Sequence, residues 1–184
     1  MVGEDFNANG CKLRANSLGM GLFYINFAKR KSVMNVARMD LKRYKDKVYD
    51  IIGAAMSVHR ELRWGLLEPI YNEAMHIELS RKGVAHEREV LLPCYYKGQL
   101  LEKYYMMDLV AGEIIVELKS TAAILPAHRF QLFNYMRLTQ KPIGLLINFG
   151  QSSLYCERYA YNKETNDCVL LDKEMDLVSA ENEP

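Results

Sequence analysis

Residues 107–119 read Met107-Asp108-Leu109-Val110-Ala111-Gly112-Glu113-Ile114-Ile115-Val116-Glu117-Leu118-Lys119, and the fold turns on this stretch. Ile114 to Leu118 is rich in β-branched residues and reads as a strand, Ala111-Gly112 as a turn, and Leu100 to Leu109 as the strand preceding it. A hairpin loop with an even number of residues, such as Val110 to Glu113, pairs Leu109 with Ile114 and sets Asp108 opposite Ile115. Directly opposed residues share a face of the sheet, as do residues two apart on one strand. Asp108, Glu117 and Lys119 then point one way, while Val116 and Leu118 point into the core. An odd loop would put Asp108 on the wrong face.

Working outward, Lys97-Gly98 joins a further strand, Val90 to Tyr96, to the front of this hairpin. Two helices come before it. The first runs from Tyr44 to Leu62, with Val48, Ile51, Ile52, Ala55, His59 and Leu62 at helical spacing. It breaks at Trp64-Gly65, and the second starts near Glu68-Pro69 and carries Ala74, Ile77 and Leu79 to a stop at Gly83. Downstream of Pro126 a third helix holds Phe130, Leu132, Phe133, Tyr135, Met136 and Leu138. Ile143 to Ile147 is an apolar run of the kind buried on both faces, and a last hairpin joins Leu154–Tyr161 to Cys168–Leu171. Laying the Ile143 strand parallel to Ile114–Leu118 through the third helix predicts an α/β fold, a mixed β-sheet flanked by helices on both faces.

A chain of 184 residues fits one domain with extra at the ends. No apolar run approaches the roughly 20 residues that span a bilayer, so no membrane association is expected. The four cysteines show no C-x-x-C pair, which excludes a zinc ribbon or redox motif and suits free thiols in the cytoplasm. A net charge of +1 provides no global attraction for a polyanion, so binding to nucleic acid must come from a local basic surface or a metal. Charge is uneven along the chain. We expect a weakly ordered basic extension over 1–43, the domain over 44–173, and an acidic tail over 174–184, with Met34 or Met39 as alternative natural starts.

Asp108 and Glu117 are hard oxygen donors of the sort that hold Mg²⁺, with Mn²⁺ as the alternative ion, and the Leu118 carbonyl is a further candidate ligand. Such an ion activates water and offsets charge on a scissile phosphate, a role that Lys119 would assist. The same spacing also fits an ordinary charged pair on the solvated face of a strand. Glu68 and Tyr71 lie three apart on one helix face, and Gln131 and Tyr135 four apart on another. Read structurally, these are a helix cap, core tyrosines and a solvated amide. Read functionally, Glu68 is an additional carboxylate for the metal or its water, and Gln131, Tyr135 and Tyr71 are candidates for contacting nucleic acid. His59, on an otherwise apolar face, reads as a satisfied core histidine.

The sequence resembles the GxxExxY proteins, a bacterial and archaeal branch of the PD-(D/E)XK nuclease-like superfamily. The motif stands here as Gly65, Glu68 and Tyr71. Ile51 to Ala55, Val58-His59, Ile115 to Lys119, Leu125-Pro126, His128, Gln131-Leu132, Tyr135 and Gly144 to Phe149 match in order, over roughly Tyr44 to Lys173. The resemblance implies a restriction-endonuclease-like core. It makes Asp108, Glu117 and Lys119 the acid, acid and lysine of the active site, Glu68 the carboxylate from the preceding helix, and Gln131 the polar residue from the following one. Met107 stands where some relatives have proline.

The expected function is therefore metal-dependent hydrolysis of nucleic acid, with DNA as the substrate. The rival is a catalytically silent nuclease fold used for binding or assembly as a homodimer, favoured by the near-zero net charge.

Overall fold

The computed structural model describes Val36 and residues 39–178, so most of the expected 1–43 extension and the end of the acidic tail lie outside the described residues. The described residues form three α-helices, α1 (Lys45–Leu62), α2 (Glu68–Arg81) and α3 (Pro126–Thr139). They also form six strands: β1 (Glu87–Tyr96), β2 (Gln99–Ala111), β3 (Ile114–Lys119), β4 (Ile143–Asn148), β5 (Tyr155–Asn162) and β6 (Asp167–Leu171). The strands make one sheet in sequence order, and β3 with β4 is its parallel pair. A parallel pair needs a crossover, and α3 is that crossover. The expected mixed sheet with helices on both faces is what the chain adopts.

The two faces are distinct. Val48 and Ile51 of α1 and Tyr71, Met75 and Leu79 of α2 pack on Leu109, Val116, Leu118, Leu145 and Ile147. Leu132, Tyr135 and Met136 of α3 pack on Val110, Ile115 and Leu146 from the other side. Covered on both faces, β3 and β4 are buried along their whole length, which is why Ile143–Ile147 shows no alternation in sequence. Each helix buries a narrower stripe than its apolar residues suggest. Ile77 of α2 and Phe130 and Leu138 of α3 are half-exposed, because a helix lying on one sheet face presents only positions three or four apart to it.

Packing passes both limits of the expected 44–173 body. Leu41 and Met175 are buried, Leu177 bridges to Leu171, and Lys42 and Lys45 pair with Asp176 and Glu174. Gly144 fixes how closely α3 lies on the sheet: a Cβ there would come within 2.4 Å of Met136 Sδ. No helix among the described residues is long and apolar enough to cross a membrane.

Candidate active site

The site begins where two strands part. β2 pairs with β3 at Ala111↔Ile114, Val110↔Ile115 and Leu109↔Val116, and the bonded register ends there. The turn is Gly112-Glu113, with Gly112 at φ +64°, a left-handed conformation that suits glycine and the primed turns of tight hairpins. The loop is thus even, as expected, but two residues long rather than four. Continuing the register by one step brings Asp108 level with Glu117, not with Ile115, so the two carboxylates are closer in the ladder than a four-residue loop would place them.

Past Val116, the backbone groups of Leu118 on the β2 side have no strand to bond, and a buried N–H and C=O must find partners elsewhere. The N–H donates to Asp108 Oδ2 at 2.8 Å. The carbonyl accepts from Lys119 Nζ at 2.8 Å. The same ammonium donates to Glu117 Oε1 at 2.6 Å and lies 3.4 Å from Glu68 Oε1. The end of one β-ladder therefore gathers two carboxylates, a carbonyl and a lysine, with Glu68 reaching in from the first residue of α2. The pair is not on a solvated strand face: Glu117 is 1% and Lys119 7% exposed.

This cluster is short of positive charge. Burial, followed by the nearby Asp108 charge, pushes the Glu117 carboxyl up to about 8, against the pull of Lys119. Burial also raises Asp108, although the Leu118 N–H, Lys119 and the Asn72 amide favour its charged form. Lys119 keeps its charge above the usual lysine range, since Glu117, Glu68 and Asp108 outweigh the cost of burying it. Glu117 Oε2 is buried with no hydrogen-bond partner among the described residues, and so is Asn72 Oδ1. A buried, unpaired carboxyl oxygen on a group pushed up to about 8 is a place that a divalent cation suits.

Among the described residues no group of three or more His, Cys, Asp or Glu is placed to hold an ion. Two carboxylates and a carbonyl still suit Mg²⁺, which commonly takes one or two carboxylates and fills its remaining positions with water and substrate oxygen. Asp108, Glu117 and the Leu118 carbonyl fit that description, and all are hard oxygen donors.

Supporting residues come from both sides. Asn72 of α2, buried and one turn beyond Glu68, donates from Nδ2 to Asp108 Oδ1 at 3.3 Å. Its role was not anticipated from sequence, although its i, i+4 spacing from Glu68 was the available signal. Tyr71 is fully buried and stacks on Phe149 with ring centroids 4.5 Å apart. Its hydroxyl donates to Arg63 O at 2.7 Å and accepts from Leu66 N–H at 3.2 Å. Tyr71 therefore braces the loop between α1 and α2, with its ring fully buried. Gly65 holds φ +95° in that loop, so the three motif residues act as a bent loop, its brace and a carboxylate delivered into the site.

On the other face, Tyr135 is likewise buried, accepting from Gln131 Nε2 at 2.8 Å and donating to Met106 O at 3.1 Å. Burial pushes its hydroxyl up to about 12. It ties α3 to β2 two residues before Asp108; Gln131, half-buried, retains access to solvent. His128 Nδ1 accepts the Leu125 N–H at 3.1 Å and starts α3. His59 is satisfied in the core, with Nε2 donating to Gln151 O at 2.9 Å. After β3 the buried Asn148 accepts from Thr121 N–H at 3.0 Å and donates to Thr121 O at 2.9 Å, which fixes the loop leaving Lys119.

A second buried carboxylate lies in the same row of the sheet. Glu117 pairs with Leu146, and Leu146 pairs with Glu157 on β5. Arg129 Nε of α3 donates to Glu157 at 2.9 and 3.1 Å, its Nη2 donates as well, and Tyr155 and Tyr159 each add a hydroxyl at 2.8 Å. This pair went unnoticed in the sequence because its members are 28 residues apart.

The family described as the PD-(D/E)XK nuclease superfamily matches residues 45–159, from the first residue of α1 into β5. Glu68, Asp108, Glu117, Lys119 and Gln131 all fall inside that match. No curated protein matches the chain. A solved structure titled "Crystal structure of SSO0001" aligns at 15% identity with a TM-score of 0.40, covering 80% of this chain and 83% of that one.

Proposed function

The chain belongs to the PD-(D/E)XK nuclease superfamily, and from that premise we propose that it hydrolyses phosphodiester bonds of DNA with Mg²⁺ or Mn²⁺ held by Asp108, Glu117 and the Leu118 carbonyl. The observation that carries this reading is the buried, cation-deficient cluster at the end of the β2–β3 ladder, where Glu117 Oε2 has no partner among the described residues. A divalent ion bound there supplies positive charge that lowers the pKa of a water and offsets charge on the phosphate. Asp108 is held for ligation by the Leu118 N–H and Asn72. Lys119 stabilises the negative charge that builds on the phosphoryl oxygens, and Glu68 keeps it charged. Gln131 is the candidate for contact with the nucleic-acid backbone. Free Cys94, Cys156 and Cys168 suit a reducing cytoplasm.

Incubating the protein with labelled DNA and RNA in Mg²⁺ or Mn²⁺ tests the proposal. Wild type should cut DNA, while Glu117→Gln and Lys119→Ala should fall to background; cutting unchanged in both variants, or absent in wild type, sinks it. One observation favours the silent module instead: the Lys119 ammonium already sits on Glu117 and the Leu118 carbonyl. Calorimetric titration with Mn²⁺ separates the two. A site that needs no ion shows no Glu117-dependent binding and no gain in stability with metal.

A further inference from the structure

The loop between α1 and α2 carries a feature that the cleavage chemistry does not use. Besides exposed apolar side chains on β1 and β2, such as Tyr95, Tyr96, Leu100 and Tyr104, the chain exposes Trp64, Leu66 and Leu67 in this loop (50%, 40% and 75%) and Ile70 in the first turn of α2 (48%). The backbone beneath them is held firmly. Arg63 N–H donates to His59 O at 3.0 Å, and Tyr71 braces Arg63 O and Leu66 N–H. Ser120 Oγ donates to Leu66 O at 2.6 Å. Arg63 and Gly65 both sit in the left-handed region, at φ +61° and +95°. A fixed loop that displays apolar side chains to water instead of folding them inward is a surface built for contact.

Its position says contact with what. Ser120 directly follows Lys119, and Leu67 directly precedes Glu68, whose carboxylate touches Lys119. Glu68, with 37% of its side chain exposed, is the open member of a cluster in which Glu117 and Lys119 are buried. The loop therefore forms the rim on the open side of the site. With a net charge of +1 the protein has little to gain from phosphate contacts alone. Stacking on an aromatic ring is the complementary source of affinity, and it requires a base whose face is free. In a duplex that face is hidden. Arg60 and Arg63 are exposed at the same end of α1, with Glu61 exposed between them, and each offers a guanidinium to the strand's backbone.

We propose that the Arg63–Leu67 loop is a stacking platform for an unpaired base, with Trp64 as its ring, and that the substrate is a single-stranded segment of DNA led past Glu68 to Lys119 and Glu117. The proposal rests on reading the site as a nuclease.

Trp64 is the only tryptophan in the chain, so intrinsic fluorescence reports on this loop alone. The titration uses the full chain carrying Glu117→Gln, with Ca²⁺ present, against an oligo(dT) of about 16 nucleotides, the upper end of common single-strand site sizes. A blunt DNA hairpin with the same number of phosphates serves as the comparison. The oligonucleotide should quench Trp64 emission by about half or more and the hairpin should not. Trp64→Ala should weaken oligonucleotide binding, followed by anisotropy, by about ten-fold, with Trp64→Phe restoring most of it. No quenching by oligo(dT), or equal quenching by the hairpin, overturns the proposal. Glu117-dependent cleavage of DNA without quenching removes the stacking platform and leaves the nuclease reading intact. Quenching by single strands with no cleavage in wild type keeps the platform and removes the hydrolytic reading.

Discussion

Glu117 and Glu157 are two buried carboxylates in one row of the same sheet, separated by Leu146, and they have opposite characters. Glu157 is surrounded by donors. Although burial works against its charge, the Arg129 guanidinium and the Tyr155 and Tyr159 hydroxyls hold its carboxyl below the usual range. Glu117 has one lysine, one unpaired oxygen and a like charge nearby, and its carboxyl is raised to about 8. A buried acid as such says little about function. The acid that the fold leaves short of positive charge is the one we propose takes up an ion, while the satisfied one holds α3 on β5.

Exchanging the two positions' chemistry is the largest test of that contrast. Glu117→Gln removes a proposed metal ligand and should lower cleavage about a thousand-fold in single-turnover assays at saturating metal. Glu157→Gln should leave the rate per folded molecule within about a few-fold of wild type, since it touches neither ion nor phosphate. Equal losses in both would show that the row acts as one unit.

Stability should invert the ranking. Glu157→Ala strands Arg129 and two hydroxyls. With Arg129 31% exposed, the cost should sit near the low end for a broken buried pair, about 3 kcal/mol by denaturant melts. Glu117→Gln should not destabilise the metal-free protein. The sign follows from linkage. A carboxyl whose folded pKa is raised above its unfolded value near 4.5 holds a proton that the unfolded chain releases, so wild-type stability falls as pH rises from about 4.5 to about 8. The variant should escape that decline and melt higher than wild type at pH 8. Glu157 runs the other way: its depressed pKa contributes stability above the unfolded pKa, and this is lost as pH falls through the folded one.

How far this contrast was visible in the sequence depends on range. The hairpin parity that puts Asp108 on the same face as Glu117 was legible, because it depends only on a turn signal and the two-residue period of strands, whereas the register that sets the two level was not. The mixed sheet followed from the length of α3 between two apolar runs. Burial of Glu117 and Lys119 was not legible: an alternating strand reads the same whether water or a helix covers its polar side, and here α3 and α2 do the covering. The Tyr71 and Tyr135 hydroxyls looked available for nucleic acid because a lone tyrosine gives no sign of the carbonyl it will meet in the fold. Arg129–Glu157 was invisible for the same reason of distance.

Metal affinity should then depend on pH through Glu117. An ion must displace the proton, so at pH 7 binding should release close to one proton per site, seen as a buffer-dependent heat. The Mn²⁺ association constant should rise about ten-fold per pH unit up to about pH 8 and flatten above it. A profile already flat at pH 6 would mean that Lys119 alone keeps Glu117 ionised, and the contrast with Glu157 would shrink.

The smallest effect tests how the fold holds Asp108. Asn72 donates to Oδ1 over 3.3 Å, a weak bond, while the Leu118 N–H donates to Oδ2 over 2.8 Å. Asn72→Ala removes the weaker donor and leaves the stronger, so Asp108 should become harder to ionise, although the site should still assemble. The loss should be about three- to ten-fold in Mn²⁺ affinity and larger at pH 6 than at pH 9, because the proton competes with the ion more strongly as pH falls. A purely packing defect would weaken binding equally at both values. A loss that grows as pH falls would show that Asn72 acts on the charge of Asp108, so that α2 contributes to the site through this amide as well as through Glu68.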